Sequence, residues 1–303
     1  MYVLQAFVSL GCLLYVVWNI DVSLLWGAFV TYEPLPICVD VLLFFACVAA
    51  QALRLAFLCI PTQTIAHTFC AVLVGLGMNN LLPAKGGEVL KILYLGKSSR
   101  ISISVSAGAV LAERFFDANF LYVAAMLMLK DYMAPALIRS TGLFFIACWA
   151  LFAFFRCFPE RLEWLWRAIP KVQQVKSLNE IKDYFFYETT FARIATASLV
   201  TLLVWGIYCA YFTYALMRVA NIPISFEGAA LVFLISAAGQ LIPSSPGSLG
   251  VFEASVVWGA SLLGVEKEPA VGIALLLRMI QFLPTLAAIL VFLIPTRHKA
   301  DSF

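Results

Sequence analysis

Three ionisable side chains fall within one long apolar stretch of the sequence. Glu113, Arg114 and Asp117 lie near the middle of residues 103–129, which are otherwise mostly apolar. Each ionised group at the centre of a membrane helix costs about 2.5–3.5 kcal/mol, so it needs a partner or a function. Arg114 can reach Asp117 on the next helical turn. Two interpretations follow: a self-neutralising cluster, or an arginine that stays available to bind an anionic headgroup.

Two proline segments show a second chemical pattern. Residues 80–83 (Asn-Leu-Leu-Pro) and 240–243 (Gln-Leu-Ile-Pro) each end an apolar stretch, and Gly-rich polar chain follows. Proline lacks a backbone N–H and glycine permits unusual backbone angles, so helices should break at both places. In hydrocarbon the freed backbone groups must be buried in protein or line a wet cavity. We therefore predict two broken or re-entrant helices, with Pro83, Pro243 and Pro246 as helix breakers.

The sequences that follow the two proline segments also match each other in the order of their residue types. Alignment of Pro83 with Pro243 matches Asn80 with Gln240 and Gly87 with Gly247, and a carboxylate and an arginine follow in both halves. This order predicts an inverted repeat around a substrate site, although proline and glycine are also common in membrane helices. The predicted substrate-binding residues are Asn80, Lys85, Gly86, Gly87, Glu88, Glu113, Arg114, Asp117, Gln240, Ser244, Ser245, Gly247, Gly250, Glu253 and Arg278.

The composition indicates which elements must position these residues. Of 303 residues, 63% are hydrophobic and only 12% are charged, and the mean hydropathy is +0.95. A helix needs about 20 apolar residues to cross a bilayer. We predict an all-α polytopic membrane protein with six full spans and two re-entrant hairpins, or alternatively eight spans. The six predicted spans are residues 2–18, 37–58, 103–129, 140–157, 194–218 and 270–294.

The predicted domain organisation is a single integral membrane domain over residues 1–303. One half of the repeat covers about 37–157 and the other about 194–294, joined by an amphipathic segment at 158–192 that should lie along the cytoplasmic interface. Most lysines and arginines fall in the loops at 84–100, 156–193 and 295–303. Because such residues stay on the cytoplasmic side during insertion, both chain termini are predicted to be cytoplasmic.

Several function classes find little support. The net charge is only +3, the eight cysteines form no CxxC pair, and the chain has just two histidines. We therefore expect no nucleic-acid partner, no metal site and no cofactor. The sequence also lacks a GxxxxGK[ST] loop, so an ATP-driven mechanism is not expected.

These motifs together resemble the transmembrane, flippase-like domain of the lysylphosphatidylglycerol synthase family. The resemblance covers nearly the whole chain and rests on residues 80–88, the Glu113-Arg114-x-x-Asp117 motif, residues 243–253 and Arg278. It implies a membrane domain that moves lipids between leaflets of a bacterial or archaeal cytoplasmic membrane. Only about nine residues follow the last predicted span, so the soluble aminoacyl-transferase domain of full-length synthases is not expected. The Ala84-Lys85 pair departs from the plainer Gly or Arg turn usual in the family.

The leading hypothesis is a flippase for an anionic or phosphate-bearing lipid or glycolipid, with membrane lipids as partners and possible homo-oligomers. A second is a membrane-embedded glycosyltransferase that uses a polyprenyl-phosphate donor and a carboxylate among Asp21, Glu33 and Asp40. A third is an accessory partner of a lipid-modifying enzyme, docking through residues 158–192.

Overall fold

The computed structural model describes residues 2–98, 101–129, 135–168 and 174–293, and the secondary structure in these ranges is entirely helical. Residues 169–173 of the predicted interfacial segment, residue 294 of the last predicted span and the C-terminal loop 295–303 lie outside the described residues. The α-helices are α1 (Tyr2–Val17), α2 (Val22–Val30), α3 (Pro34–Leu58), α4 (Ile65–Leu81), α5 (Gly86–Ser98), α6 (Ile103–Leu129), α7 (Pro135–Cys157), α8 (Pro159–Arg167), α9 (Lys176–Asp183), α10 (Phe191–Tyr214), α11 (Phe226–Gly239), α12 (Val251–Ser261) and α13 (Lys267–Leu293).

Four described helices are long and apolar enough to cross a membrane. They comprise Pro34–Leu58, Ile138–Cys157, Phe191–Val219 and Lys267–Leu290, close to four of the six predicted spans. The predicted span at 2–18 is a helix that bends by 83° into α2, and the pair makes a fifth candidate. Helix α6 covers the predicted span 103–129 and has 27 residues, but it contains three charged residues and is not among these four candidates.

The two predicted hairpin helices are shorter than a full span. Helix α4 has 17 residues and α11 has 14. At 1.5 Å per residue these lengths reach about 26 and 21 Å, less than the roughly 30 Å of bilayer hydrocarbon. Short 3₁₀ turns follow them at Pro83–Lys85 and Pro246–Ser248, where proline and glycine occur. The helix breaks expected from the sequence are therefore present, while the inverted repeat stays a prediction.

The chain forms two compact units. The first comprises Met1–Ala52, Phe69–Lys91 and Val204–Phe303, and the second comprises Leu53–Thr68 and Ile92–Leu203. In the first unit, α11, α12 and α13 pack in succession, α1 packs on α12, and α2 packs on α13. Its buried residues include Phe44, Tyr211, Leu216, Val256 and Leu277. Both 3₁₀ turns belong to this unit.

The second unit contains α6, α7 and the predicted interfacial segment. Helices α8 and α9 are polar on one face and apolar on the other, and a π-helical turn at Tyr184–Glu188 continues α9. Tyr184 is buried, and its hydroxyl donates a hydrogen bond to the carbonyl oxygen of Leu58 at 2.8 Å. Arg156 donates to the carbonyl oxygens of Phe186 and Thr189. These bonds tie the segment to α3 and α7.

Candidate functional site

The first helix break places a polar cluster between α4 and α5. The amide of Asn79 donates to Glu88 Oε1 at 3.2 Å, and Lys91 Nζ lies 3.1 Å from Glu88 Oε2. Lys91 is buried, whereas Lys85 is exposed at the end of the turn, with a φ of 56°. The break thus has a neutralised interior and a lysine on its surface.

Gly87 lets α4 and α5 approach each other closely. A Cβ atom at this position would lie 2.1 Å from the carbonyl oxygen of Gly75 and 2.5 Å from the backbone nitrogen of Asn79. Real atoms do not approach so closely, so only glycine fits between the two backbones. Gly86, its neighbour, begins α5.

The second helix break is shaped by two glycines in the left-handed region. Gly247 has a φ of 63° and Gly250 a φ of 82°. Gly250 caps α12, and its backbone N–H donates to Glu253 Oε2 at 2.8 Å. L-residues with a Cβ atom adopt these angles at a cost of roughly 1–2 kcal/mol. The two glycines therefore allow the tight backbone turn that leads from Pro246–Ser248 directly into α12.

Arg278 on α13 holds the second turn in place. Its guanidinium forms two hydrogen bonds with the Glu253 carboxylate, one of them 3.0 Å from Nη2 to Oε2. It also donates to the carbonyl oxygens of Gly247 and Ser248, the latter at 3.3 Å. Phe252 lies beneath it, 5.0 Å from ring centroid to guanidinium carbon. Its Nε, Nη1 and Nη2 atoms all have acceptors within the protein.

The two turns come together within the first unit. The 3₁₀ turns contact each other, and a Cβ atom on Gly247 would lie 3.3 Å from Asn80 Oδ1 and 3.5 Å from Arg278 Nη1. Asn80 Nδ2 in turn donates to Thr285 Oγ1 at 3.3 Å. Residues that are far apart in sequence therefore meet at one polar site on α4, the second turn and α13.

The remaining predicted residues of the second break occupy different environments. Ser244 is buried, and the backbone N–H of Ser245 donates to Ser9 Oγ at 2.9 Å. Gln240, which the alignment matches with Asn80, is exposed at the end of α11. The two breaks therefore differ in detail where the sequence patterns match.

Glu113, Arg114 and Asp117 lie in the second unit, where Arg54 joins them. Arg54 Nη1 is 2.6 Å from Asp117 Oδ1, and Nη2 is 3.4 Å from Glu113 Oε1. Thr201 Oγ1 accepts another bond from Arg54 at 3.1 Å. Glu113 and Arg54 are almost fully buried. Arg54 was not among the predicted site residues, although an arginine inside the predicted span 37–58 already required a partner.

Arg114 is the most accessible member of this ionic cluster. Its side chain is 43% exposed, and its Nη1 lies 3.3 Å from Asp117 Oδ2. This is the pairing expected from the three-residue spacing. The four formal charges of Arg54, Glu113, Arg114 and Asp117 sum to zero, which lowers the cost of burying them.

A cavity of about 250 Å³ lies in the second unit, and its lining is apolar. Ala112 and Phe116, which flank Glu113 on α6, form part of its wall. Trp149 donates a hydrogen bond to Asn119 at 2.6 Å and packs against Phe115. A cavity with such walls accepts a hydrocarbon chain rather than a polar group. The other lining residues are Leu58, Phe152, Tyr184, Phe185, Phe186, Thr189 and Ile194.

The three carboxylates considered for an enzyme lie in different environments, and Glu33 is exposed between α2 and α3. Asp21 caps α2 by accepting from the backbone nitrogens of Ser23 and Leu24 at 2.8 and 3.1 Å. Asp40 is buried within α3. Among the described residues, no group of three or more His, Cys, Asp and Glu side chains has the arrangement of a metal site.

Comparison with known proteins places the chain among membrane proteins. A family model described as the lysylphosphatidylglycerol synthase TM region matches residues 2–289. A UPF0104 membrane protein of Methanothermobacter thermautotrophicus is 26% identical over 290 residues, covering 82% of each chain. Another, from Pyrococcus horikoshii, is 29% identical over 255 residues, covering 71% of this chain and 72% of the relative. The chain is an integral membrane protein that belongs to the family of the lysylphosphatidylglycerol synthase transmembrane region.

Proposed function

We propose that this protein moves an anionic or phosphate-bearing lipid between the leaflets of a cytoplasmic membrane. One observation carries the proposal: the turns of two broken helices meet in the first unit and bring Asn80, Gly247 and Arg278 together. Irregular backbone at membrane depth is stable only where protein or water satisfies it. Discontinuous helices that meet in this way form the substrate sites of many transporters.

One basic side chain at the paired turns is exposed to an approaching anionic headgroup. Arg278 is neutralised by Glu253, and Lys91 is paired with Glu88. Lys85 extends from the first turn with an exposed side chain. In this proposal Arg278 fixes the shape of the second turn, Asn80 and the turn backbone offer polar contacts, and Lys85 attracts the phosphate.

The apolar cavity of the second unit supports a lipid as the substrate class. Its aromatic and aliphatic walls fit an acyl or prenyl chain. The family provides a further argument, because its name refers to an enzyme that makes an aminoacylated phospholipid. We propose that this chain handles the lipid without making it, and that its termini face the cytoplasm.

A translocation assay tests this function. The purified protein is reconstituted into vesicles that contain phosphatidylglycerol with a fluorescent NBD group on one acyl chain. Dithionite added outside quenches the probe in the outer leaflet, so the loss of the remaining fluorescence measures how fast the inner-leaflet probe becomes accessible. We expect faster exchange than in protein-free vesicles, and slower exchange with Lys85→Ala than with the control Lys176→Ala, whose side chain is 90% exposed on α9. Equal rates with and without wild-type protein, for this probe and for an NBD-labelled polyprenyl phosphate, would reject the proposal.

A further inference from the structure

A carboxyl group on α3 is buried in the interior of the first unit. Asp40 has no exposed surface, and neither of its carboxyl oxygens has a hydrogen-bond partner among the described residues. It is the seventh residue of α3, about 9 Å along the helix at 1.5 Å per residue. Asp40 is therefore enclosed within the first unit and is not part of a surface loop.

Tyr211 is a neighbour of Asp40 that carries no positive charge. Tyr211 on α10 lies within electrostatic reach of the carboxyl group, and its ring is 6.2 Å from that of Phe44. The surroundings of Tyr211 also include Tyr208 on α10, Cys47 on α3 and Gln281 on α13. None of these side chains is a cation that could pair with a carboxylate.

Burial without a partner selects the neutral form of a carboxyl group. An ionised carboxylate loses its hydration on burial and recovers that free energy only through ion pairs or hydrogen bonds. Arg54 shows the alternative within the same protein, because each of the two carboxylates it pairs with has a cation close by. Among the described residues none offers Asp40 such compensation, and a protonated carboxyl group avoids the cost.

We infer that Asp40 is a proton-binding site that couples lipid movement to the proton gradient across the membrane. In the conformation described here the carboxyl group carries its proton. When rearrangement of the first unit admits water to Asp40, the O–H bond breaks, the proton passes to water and a carboxylate remains. Reprotonation from the other side of the membrane completes the cycle. The coupling rests on the proposed transport function, whereas the protonation does not.

A hydrogen bond links the Asp40 region to the paired turns. The buried Tyr211 hydroxyl donates to the carbonyl oxygen of Leu277 on α13 at 3.3 Å. The next residue is Arg278, which holds the second turn through the carbonyls of Gly247 and Ser248. A movement of α13 that releases this turn therefore also changes the environment of Tyr211 and Asp40. Substrate and proton sites are thus linked through one helix, α13, whose rearrangement would act on both.

Infrared spectroscopy tests the protonation directly. Spectra of wild type, Asp40→Asn and the control Glu227→Gln, an exposed carboxylate at the start of α11, are recorded in membranes at neutral pH. We expect a protonated-carboxyl C=O band in wild type and Glu227→Gln that Asp40→Asn lacks. If Asp40→Asn yields no folded protein, Asp40→Glu should shift the same band. A spectrum unchanged by either substitution would overturn the inference.

Translocation under an imposed pH gradient tests the coupling. Reversing the gradient across the vesicles should change the rate for wild type and Glu227→Gln at least threefold, and should leave the rate for Asp40→Asn unchanged. A response in Asp40→Asn equal to that of wild type would refute coupling through Asp40. If wild type moves no lipid at all, the proposed function fails and the coupling fails with it, while the infrared result still decides whether Asp40 binds a proton.

Discussion

Arg54 and Asp117 form a buried ion pair with two hydrogen bonds, 2.6 Å from Nη1 to Oδ1 and 3.3 Å from Nη2 to Oδ2. The same guanidinium reaches Glu113. Arg54 therefore neutralises the acidic face of α6, and Arg114 is the accessible cation of the cluster. This division of roles separates a structural arginine from one that could meet a ligand.

Arg54→Leu should strongly destabilise the second unit. The substitution leaves Glu113 and Asp117 without their buried partner, and breaking one side of such a pair costs about 3–5 kcal/mol. The control Arg114→Leu removes a 43% exposed charge and should cost about 1 kcal/mol or less. Thermal unfolding in detergent measures both. Equal losses would show that Arg54 is not the principal counter-ion.

Gly87→Ala should separate α4 from α5. The added methyl group meets the backbone of Gly75 and Asn79, so we expect a loss of about 1–3 kcal/mol or more through overpacking. Gly206→Ala is the matched control, because nothing lies within 4 Å of its added Cβ and alanine is favoured over glycine in helices. Melting temperatures should fall for the first and stay level or rise for the second. A neutral Gly87→Ala would contradict the tight hairpin.

Arg278→Ala should lower stability and lipid binding by different routes. It leaves the buried Glu253 carboxylate without its counter-ion and removes the donors that hold the second turn. The double variant Arg278→Ala/Glu253→Gln removes the unpaired charge, so it should recover much of the melting temperature. It should not recover the amount of lipid that stays bound during purification, measured by mass spectrometry. Recovery of both properties would mean that the arginine acts only by neutralising Glu253.

The interfacial segment should show a pH-dependent contribution from Glu163. A hydrogen bond from Lys182 is the main reason that the pKa of Glu163 is lowered below its ordinary value. A lowered carboxyl pKa adds stability above the unfolded-state value of about 4.3, and this stability is lost as the pH falls through the folded-state pKa. Wild type should therefore melt above Glu163→Gln at neutral pH, and the gap between the two melting temperatures should narrow as the pH falls below the unfolded-state pKa of about 4.3. A gap that persists in acid would exclude this ionic origin.

Sequence patterns predicted the helix breaks because proline and glycine act locally on the backbone. The pairing of Arg114 with Asp117 also followed from spacing along one helix. The partnerships of Arg54 with α6, of Arg278 with the Gly247 carbonyl, and of Asn80 with Thr285 depend on packing between distant segments. Local spacing contains no information about such contacts. The burial of Asp40 was missed for the same reason, because its neighbour Tyr211 lies on α10, far away in the sequence.

The proposed function requires that the paired turns bind the headgroup of an anionic lipid. Mass spectrometry of lipids that remain bound after gentle solubilisation tests it most directly, with wild type, Lys85→Ala and Lys176→Ala compared against the bulk membrane composition. We predict that one anionic or polyprenyl-phosphate lipid is enriched on wild type and on Lys176→Ala, and is reduced several-fold on Lys85→Ala. Bound lipid that matches the bulk membrane in all three proteins would contradict the claim.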